Sequence, residues 1–119
     1  MPYFSIIRAN EHQGVPPEGL MKAMDAYVAK TLKEGTVVST GGLAPGAAGV
    51  RVRIAGGKLK VTDGPFTESK EMVGGYAVLA AKTREEAIRA ATEFMQMHVD
   101  HWPGWEGECE VRELVFLAP

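Results

Sequence analysis

Apolar and polar positions follow two rhythms along this chain of 119 residues. A period of two marks strands and a period of 3.6 marks helices. Tyr3 to Ala9 is a β-rich opening. Pro16-Pro17 precedes a helical pattern that sets Leu20, Met21, Met24, Tyr27, Val28 and Leu32 on one face. Pro17 suits the first turn, Lys30 and Lys33 suit the last, and Gly35 predicts a left-handed stop. Thr36 to Leu43 is strand-like, and Gly42 to Gly49 is a loop of small residues. Val50, Val52 and Ile54 then alternate with Arg51 and Arg53, giving one apolar and one cationic face. Gly56-Gly57 predicts a tight hairpin turn, and Leu59, Val61 and Asp63 alternate along the return strand. Val73 to Ala81 is apolar on both faces, as in a central strand. Thr83-Arg84-Glu85-Glu86 is a capping box opening a helix whose stripe holds Ala87, Ile88, Ala91, Phe94, Met95 and His98. Pro103 stops it, Trp102 and Trp105 fall in the next loop, and Cys109 to Leu117 alternates again.

The order β-α-β, hairpin, β-α-β is the split βαβ pattern of a ferredoxin-like α+β fold carrying an inserted hairpin. The length suits a single domain over 1–119. Two helices cover only one face of such a sheet, so the other must meet water, a ligand or a second sheet. Because Val73 to Ala81 is apolar on both faces, the expectation is a homodimer with sheets packed face to face.

Composition narrows the function classes. Apolar content of 45% and charged content of 24% are ordinary for a globular protein. A net charge of −2 argues against nucleic acid, and no apolar run is long enough to cross a bilayer. The opening Met1-Pro2-Tyr3-Phe4-Ser5 has no basic n-region, so a cytoplasmic location is expected. The single cysteine, Cys109, excludes an internal disulfide framework and reads as a structural strand residue between two acids. His98 and His101 have no third ligand at a recognisable spacing, so no metal is expected, and His98 reads as a packed histidine. No dinucleotide, phosphate-loop or nucleophile-elbow motif occurs, so no cofactor is expected.

Candidate chemistry gathers near strand ends. Glu110 and Arg112 share one face of the last strand, and Asp63, Glu68, Lys70 and Glu71 crowd after the hairpin. Carboxylates against an apolar wall can serve as acids or bases, and an arginine can anchor an anion. The plainer alternative is a surface ion pair and a solvated loop. In Asp63-Gly64-Pro65-Phe66, Gly64 permits a positive φ, Pro65 fixes the bend and Asp63 can accept backbone N–H groups. Phe66 is expected to plug into the core or a dimer neighbour.

The run Asp63-Gly64-Pro65-Phe66-Thr67-Glu68-Ser69-Lys70-Glu71, then Gly75-Tyr76, Glu85-Glu86-Ala87 and Glu110-Val111-Arg112, resembles the DGPF branch of the YCII-related (YciI-like) proteins. Gly35, Gly42-Leu43 and Val50-Arg51-Val52-Arg53 fit the same pattern. The resemblance implies a ferredoxin-like domain that dimerises into an α/β barrel. It also implies a cleft with an active-site His and Asp, as in the wider group, some of whose relatives are dehalogenating lyases or resemble muconolactone isomerases. Asp63 matches the acid opening the branch's motif. Met24 to Leu32 holds no histidine, so a histidine in the site would come from His98 or His101. The expectation is therefore a cleft for a small anionic metabolite, with cofactor-free acid/base chemistry. Asp63, Glu71 and His98 are the catalytic candidates, and Arg8, Lys70, Glu110 and Arg112 the substrate-binding ones. The rival expectation, drawn from the branch's frequent neighbours, is a non-catalytic partner of an extracytoplasmic-function sigma factor. Monooxygenase chemistry rests on fold analogy alone.

Overall fold

The structure, a computed structural model, describes residues 2–66 and 71–115. Its elements run β1 (Pro2–Ala9), α1 (Glu18–Glu34), β2 (Val37–Gly42), β3 (Val50–Ala55), β4 (Lys58–Asp63), β5 (Met72–Ala80), α2 (Arg84–His101) and β6 (Gly107–Glu113). Four strands form an antiparallel sheet in the order β2-β5-β1-β6, while β3 and β4 form a separate two-stranded sheet. The fold is mixed α+β, with two helices and antiparallel sheets, consistent with a ferredoxin-like arrangement.

Local chemistry explains the helix limits. Gly35 adopts φ 79° and its N–H bonds the Leu32 carbonyl, while Thr36 N–H returns to Thr31. This closes α1 on a residue that accepts the left-handed conformation without strain. Pro17 sits at the N-cap, just before the first turn. At α2, Thr83 Oγ1 accepts from Glu86 N–H at 3.2 Å and the Glu86 carboxylate accepts from Lys82 N–H at 2.9 Å. The first bond satisfies a donor that helix geometry leaves unpaired, and the second ties the residue before the cap to the first turn.

The register assigns two faces to the sheet. Tyr3, Ala77, Leu79, Val37 and Val111 point to the helices, where they meet Ala87 and Ala90 of α2 in the core. Leu20 is fully buried under α1. The buried stripe of α1 runs through Leu20, Met24, Tyr27, Val28 and Thr31. Met21 and Leu32, expected on that stripe, lie on its exposed flank. A hydroxyl takes the last buried place because Thr31 Oγ1 donates to the Tyr27 carbonyl at 2.8 Å.

The opposite face carries Phe4, Ile6 and Arg8 of β1, Tyr76 and Val78 of β5, and Glu108, Glu110 and Arg112 of β6. No helix covers it. β6 starts at Gly107 and ends at Glu113, earlier than the alternation through Leu117 suggests, and Phe116 and Leu117 lie outside the described residues.

Candidate functional site

Arg8, Glu110 and Arg112 meet on the helix-free face. β1 and β6 pair with Arg8 opposite Glu108, Ile6 opposite Glu110 and Phe4 opposite Arg112. The Glu110 carboxylate takes a hydrogen bond from Arg8 Nη1 on one oxygen and from Arg112 Nε on the other. Arg8 also pairs with Glu108 at 3.9 Å. Donation from Arg112, and then from Arg8, holds the Glu110 carboxyl below the usual carboxylate range. A carboxylate bound in this way is a poor proton acceptor and a good tether. Arg8 is the better shielded arginine, its side chain 29% exposed against 68% for Arg112, so Arg112 can turn its remaining donors to a ligand.

An apolar wall adjoins this clamp. The Phe4 and Tyr76 rings meet edge-to-face with centroids 5.7 Å apart. Tyr76 lies across Gly41 of β2, where an added Cβ would come within 2.9 Å of the ring. The glycine thus makes room for the tyrosine to lie over the sheet. Tyr76 and Phe4 were not among the candidates, because strands apolar on both faces do not say which side chains meet a cleft. The pairing of their strands was not visible in the sequence.

His98 and Glu71 belong to another place. Both line a groove of about 710 Å³ with Asn10, Gln13, Trp105 and Glu108 at the end of the sheet where β1 stops and β5 and β6 begin. His98 is 8% exposed, Trp105 packs on its ring at 4.5 Å, and Phe94 packs at 5.2 Å. Its Nδ1 lies 3.2 Å from the Phe94 carbonyl, which can only accept, so Nδ1 carries the proton and Nε2 is the acceptor. Burial pushes the His98 pKa down, and the Phe94 bond offsets part of this. The imidazole is therefore neutral at neutral pH, a packed histidine as its place on the stripe suggested. Glu108 bridges the two regions, since it lines the groove and pairs with Arg8.

Asp63 ends β4, exposed and opposite Val50 in the two-stranded sheet. The Asp-Gly-Pro bend packs against the small-residue loop: Gly64 N–H bonds the Gly49 carbonyl at 2.9 Å. Gly64 does not use the positive φ open to it. A Cβ there would lie 2.4 Å from the Gly46 carbonyl oxygen, so close backbone approach is what demands glycine. The Gly64–Pro65 peptide is cis. Phe66 sits at the base of the ribbon beneath the Arg51 guanidinium, whose Cζ is 3.7 Å from the ring centroid, and takes no part in the buried core. Lys70 lies outside the described residues.

Cys109 faces the helices opposite Ile7, half-buried, and burial pushes its thiol pKa up. This is the environment of a structural thiol. Among the described residues, no three His, Cys, Asp or Glu side chains converge as metal ligands, and no helix is long and apolar enough to cross a membrane.

An uncharacterised protein of Rhizobium meliloti (strain 1021) is 28% identical over 102 residues, covering 86% of this chain and 78% of the relative. Residues 1–96 match the YCII-related domain, a span that runs from β1 into α2 and takes in Arg8, the Asp-Gly-Pro-Phe bend and Tyr76. Glu110 and Arg112 lie beyond it. By that match, the chain belongs to the YCII-related domain family.

Proposed function

We propose that this protein binds a small organic acid on the helix-free face of its sheet and transfers a proton on it without a cofactor. The observation carrying this reading is the Arg8–Glu110–Arg112 clamp beside the Phe4–Tyr76 wall: cationic donors next to a half-buried apolar surface. A carboxylate ligand would take charge-assisted hydrogen bonds from Arg112 while its hydrocarbon part lies on Phe4, Ile6, Tyr76 and Val78. In an isomerase-type step, a carboxylate base takes a proton from carbon adjacent to the acid group. The electron pair moves toward the arginine-bound oxygens, and the proton returns to another carbon. Asp63 is the proposed base. Glu110 is too firmly held to serve, and Glu71 and His98 face the other groove.

In this reading the domain is ferredoxin-like, with the β3–β4 ribbon as an insertion. Two copies turn their helix-free faces together as a barrel in the cytoplasm, each closing the other's cleft. Titration calorimetry with benzoate, which matches an aromatic wall and one carboxylate, tests the site. Arg112→Gln is expected to weaken benzoate about tenfold or more, the worth of one charge-assisted bond. Equal affinity in wild type and variant would sink the proposal. For the chemistry, Asp63→Asn should abolish solvent deuterium uptake into a bound carbon acid at unchanged Tm. A sharp fall in Tm with binding intact would make the bend structural.

A second reading, a non-catalytic partner of a sigma factor, draws on the exposed apolar face of the β3–β4 ribbon. A purified sigma factor that forms a stoichiometric complex while benzoate fails to bind would favour it.

A further inference from the structure

His98 presents one atom that the packing of α2 does not satisfy. Nδ1 donates to the Phe94 carbonyl, and Nε2 has no partner among the described residues. The residue is 8% exposed, yet no fully buried side-chain nitrogen or oxygen among the described residues lacks a partner. Nε2 therefore opens on the groove that His98 lines with Glu71, Trp105, Glu106 and Glu108. The ring is held from both sides, by Phe94 at 5.2 Å and Trp105 at 4.5 Å. Trp105 in turn lies on the backbone of Gly107, where an added Cβ would collide with the indole. Gln13 fixes the next residue: its amide nitrogen donates to the Glu106 carbonyl at 2.8 Å and its amide oxygen accepts from the Glu106 N–H at 2.7 Å. The acceptor and the residues around it are thus set in place before any ligand arrives, which lowers the entropy lost on binding.

Charge sets the class of ligand. Glu71, Glu106 and Glu108 line the groove, and no lysine or arginine does. Glu108 reaches Arg8 at 3.9 Å, while Glu71 and Glu106 have no ion pair among the described residues. Carboxylates and an imidazole lone pair all accept hydrogen bonds, so the ligand must donate them and carry positive charge. A primary ammonium does both, with three donors on one compact charge. Alkylamines hold that form at neutral pH, since such groups titrate near ~10.4.

We infer that this groove is a second binding site, for a small primary alkylammonium ion: one N–H donates to His98 Nε2, the rim carboxylates hold the charge, and the alkyl chain lies against Met95, Val99 and Trp105. An organic acid of the kind proposed for the arginine clamp would meet only repulsion here. The two sites share Glu108 alone, and neither depends on the other.

The test uses the full chain and n-butylammonium chloride. Calorimetry should give saturable binding, and nitrogen NMR should show the His98 Nε2 resonance shifting as it accepts a hydrogen bond. Glu71→Gln and Glu106→Gln, both at exposed positions, should each weaken the affinity about threefold or more. Tetramethylammonium has the charge but no N–H. It should bind about tenfold more weakly and leave Nε2 in place, a comparison made entirely on the wild-type protein. Absence of saturation with n-butylammonium overturns the site. So does an Nε2 resonance that tetramethylammonium moves as far, or an affinity that neither carboxamide variant changes. Benzoate separates this groove from the clamp, because it should leave the His98 resonances where they are. Displacement of n-butylammonium by benzoate would mean a single shared site and overturn the second one.

Discussion

Single atoms decide two features of this protein. At Gly64 the Gly46 and Ala47 carbonyl oxygens stand 2.4 Å and 3.0 Å from where a Cβ would be. Both neighbours are backbone, so neither can rotate away. Gly64→Ala should therefore cost about 1–3 kcal/mol by overpacking, read as a lower urea midpoint. At His98, burial holds the pKa below the ordinary imidazole value. As pH falls below about 6.5, the unfolded chain takes up a proton that folded His98 refuses, so stability declines, and the decline ends below the folded pKa. A His98→Gln variant should show a flatter urea midpoint against pH across that window. An unchanged slope would mean that other groups carry the acid sensitivity. Gly64 illustrates a limit of reading sequence: glycine announces that a side chain is unwelcome, but not whether φ or a neighbour forbids it.

At the scale of elements, the capping pair that opens α2 was visible as four consecutive residues because every partner is local. Thr83→Ala should cost about 1 kcal/mol, seen as a fall of about 4 °C in Tm. The face of α1 was legible in outline but not at its edges. Met21 and Leu32 are as apolar as their neighbours, yet both lie exposed while Thr31 is buried. The β3–β4 register likewise followed from alternation and the turn, where Gly56 and Gly57 adopt φ of 59° and 75°. That the ribbon stands apart from the main sheet did not follow, because strands carry no label saying which edge they will join.

For the whole molecule, one face of the four-stranded sheet carries no helix and the β3–β4 ribbon exposes an apolar face, surfaces that the proposed homodimer would cover. A two-fold dimer makes Tm depend on protein concentration by mass action. If the proposed dimer forms, raising the concentration a hundredfold should lift Tm by several degrees. A wild-type Tm independent of concentration would speak for a monomer.

The order of elements, the caps, the two faces of the ribbon and the resemblance carried by residues 63–71 could all be written down from the chain alone, because each depends on neighbours a few residues apart. Which candidates share a site could not. Arg8 and Glu110 are separated by 102 positions and meet only because β1 and β6 pair in one register, while Glu71 and His98, equally plausible by chemistry, are drawn to a different groove. A shift of that register by one residue would turn Glu110 and Arg112 toward the helices and leave Arg8 alone, since neighbouring residues of a strand face opposite ways.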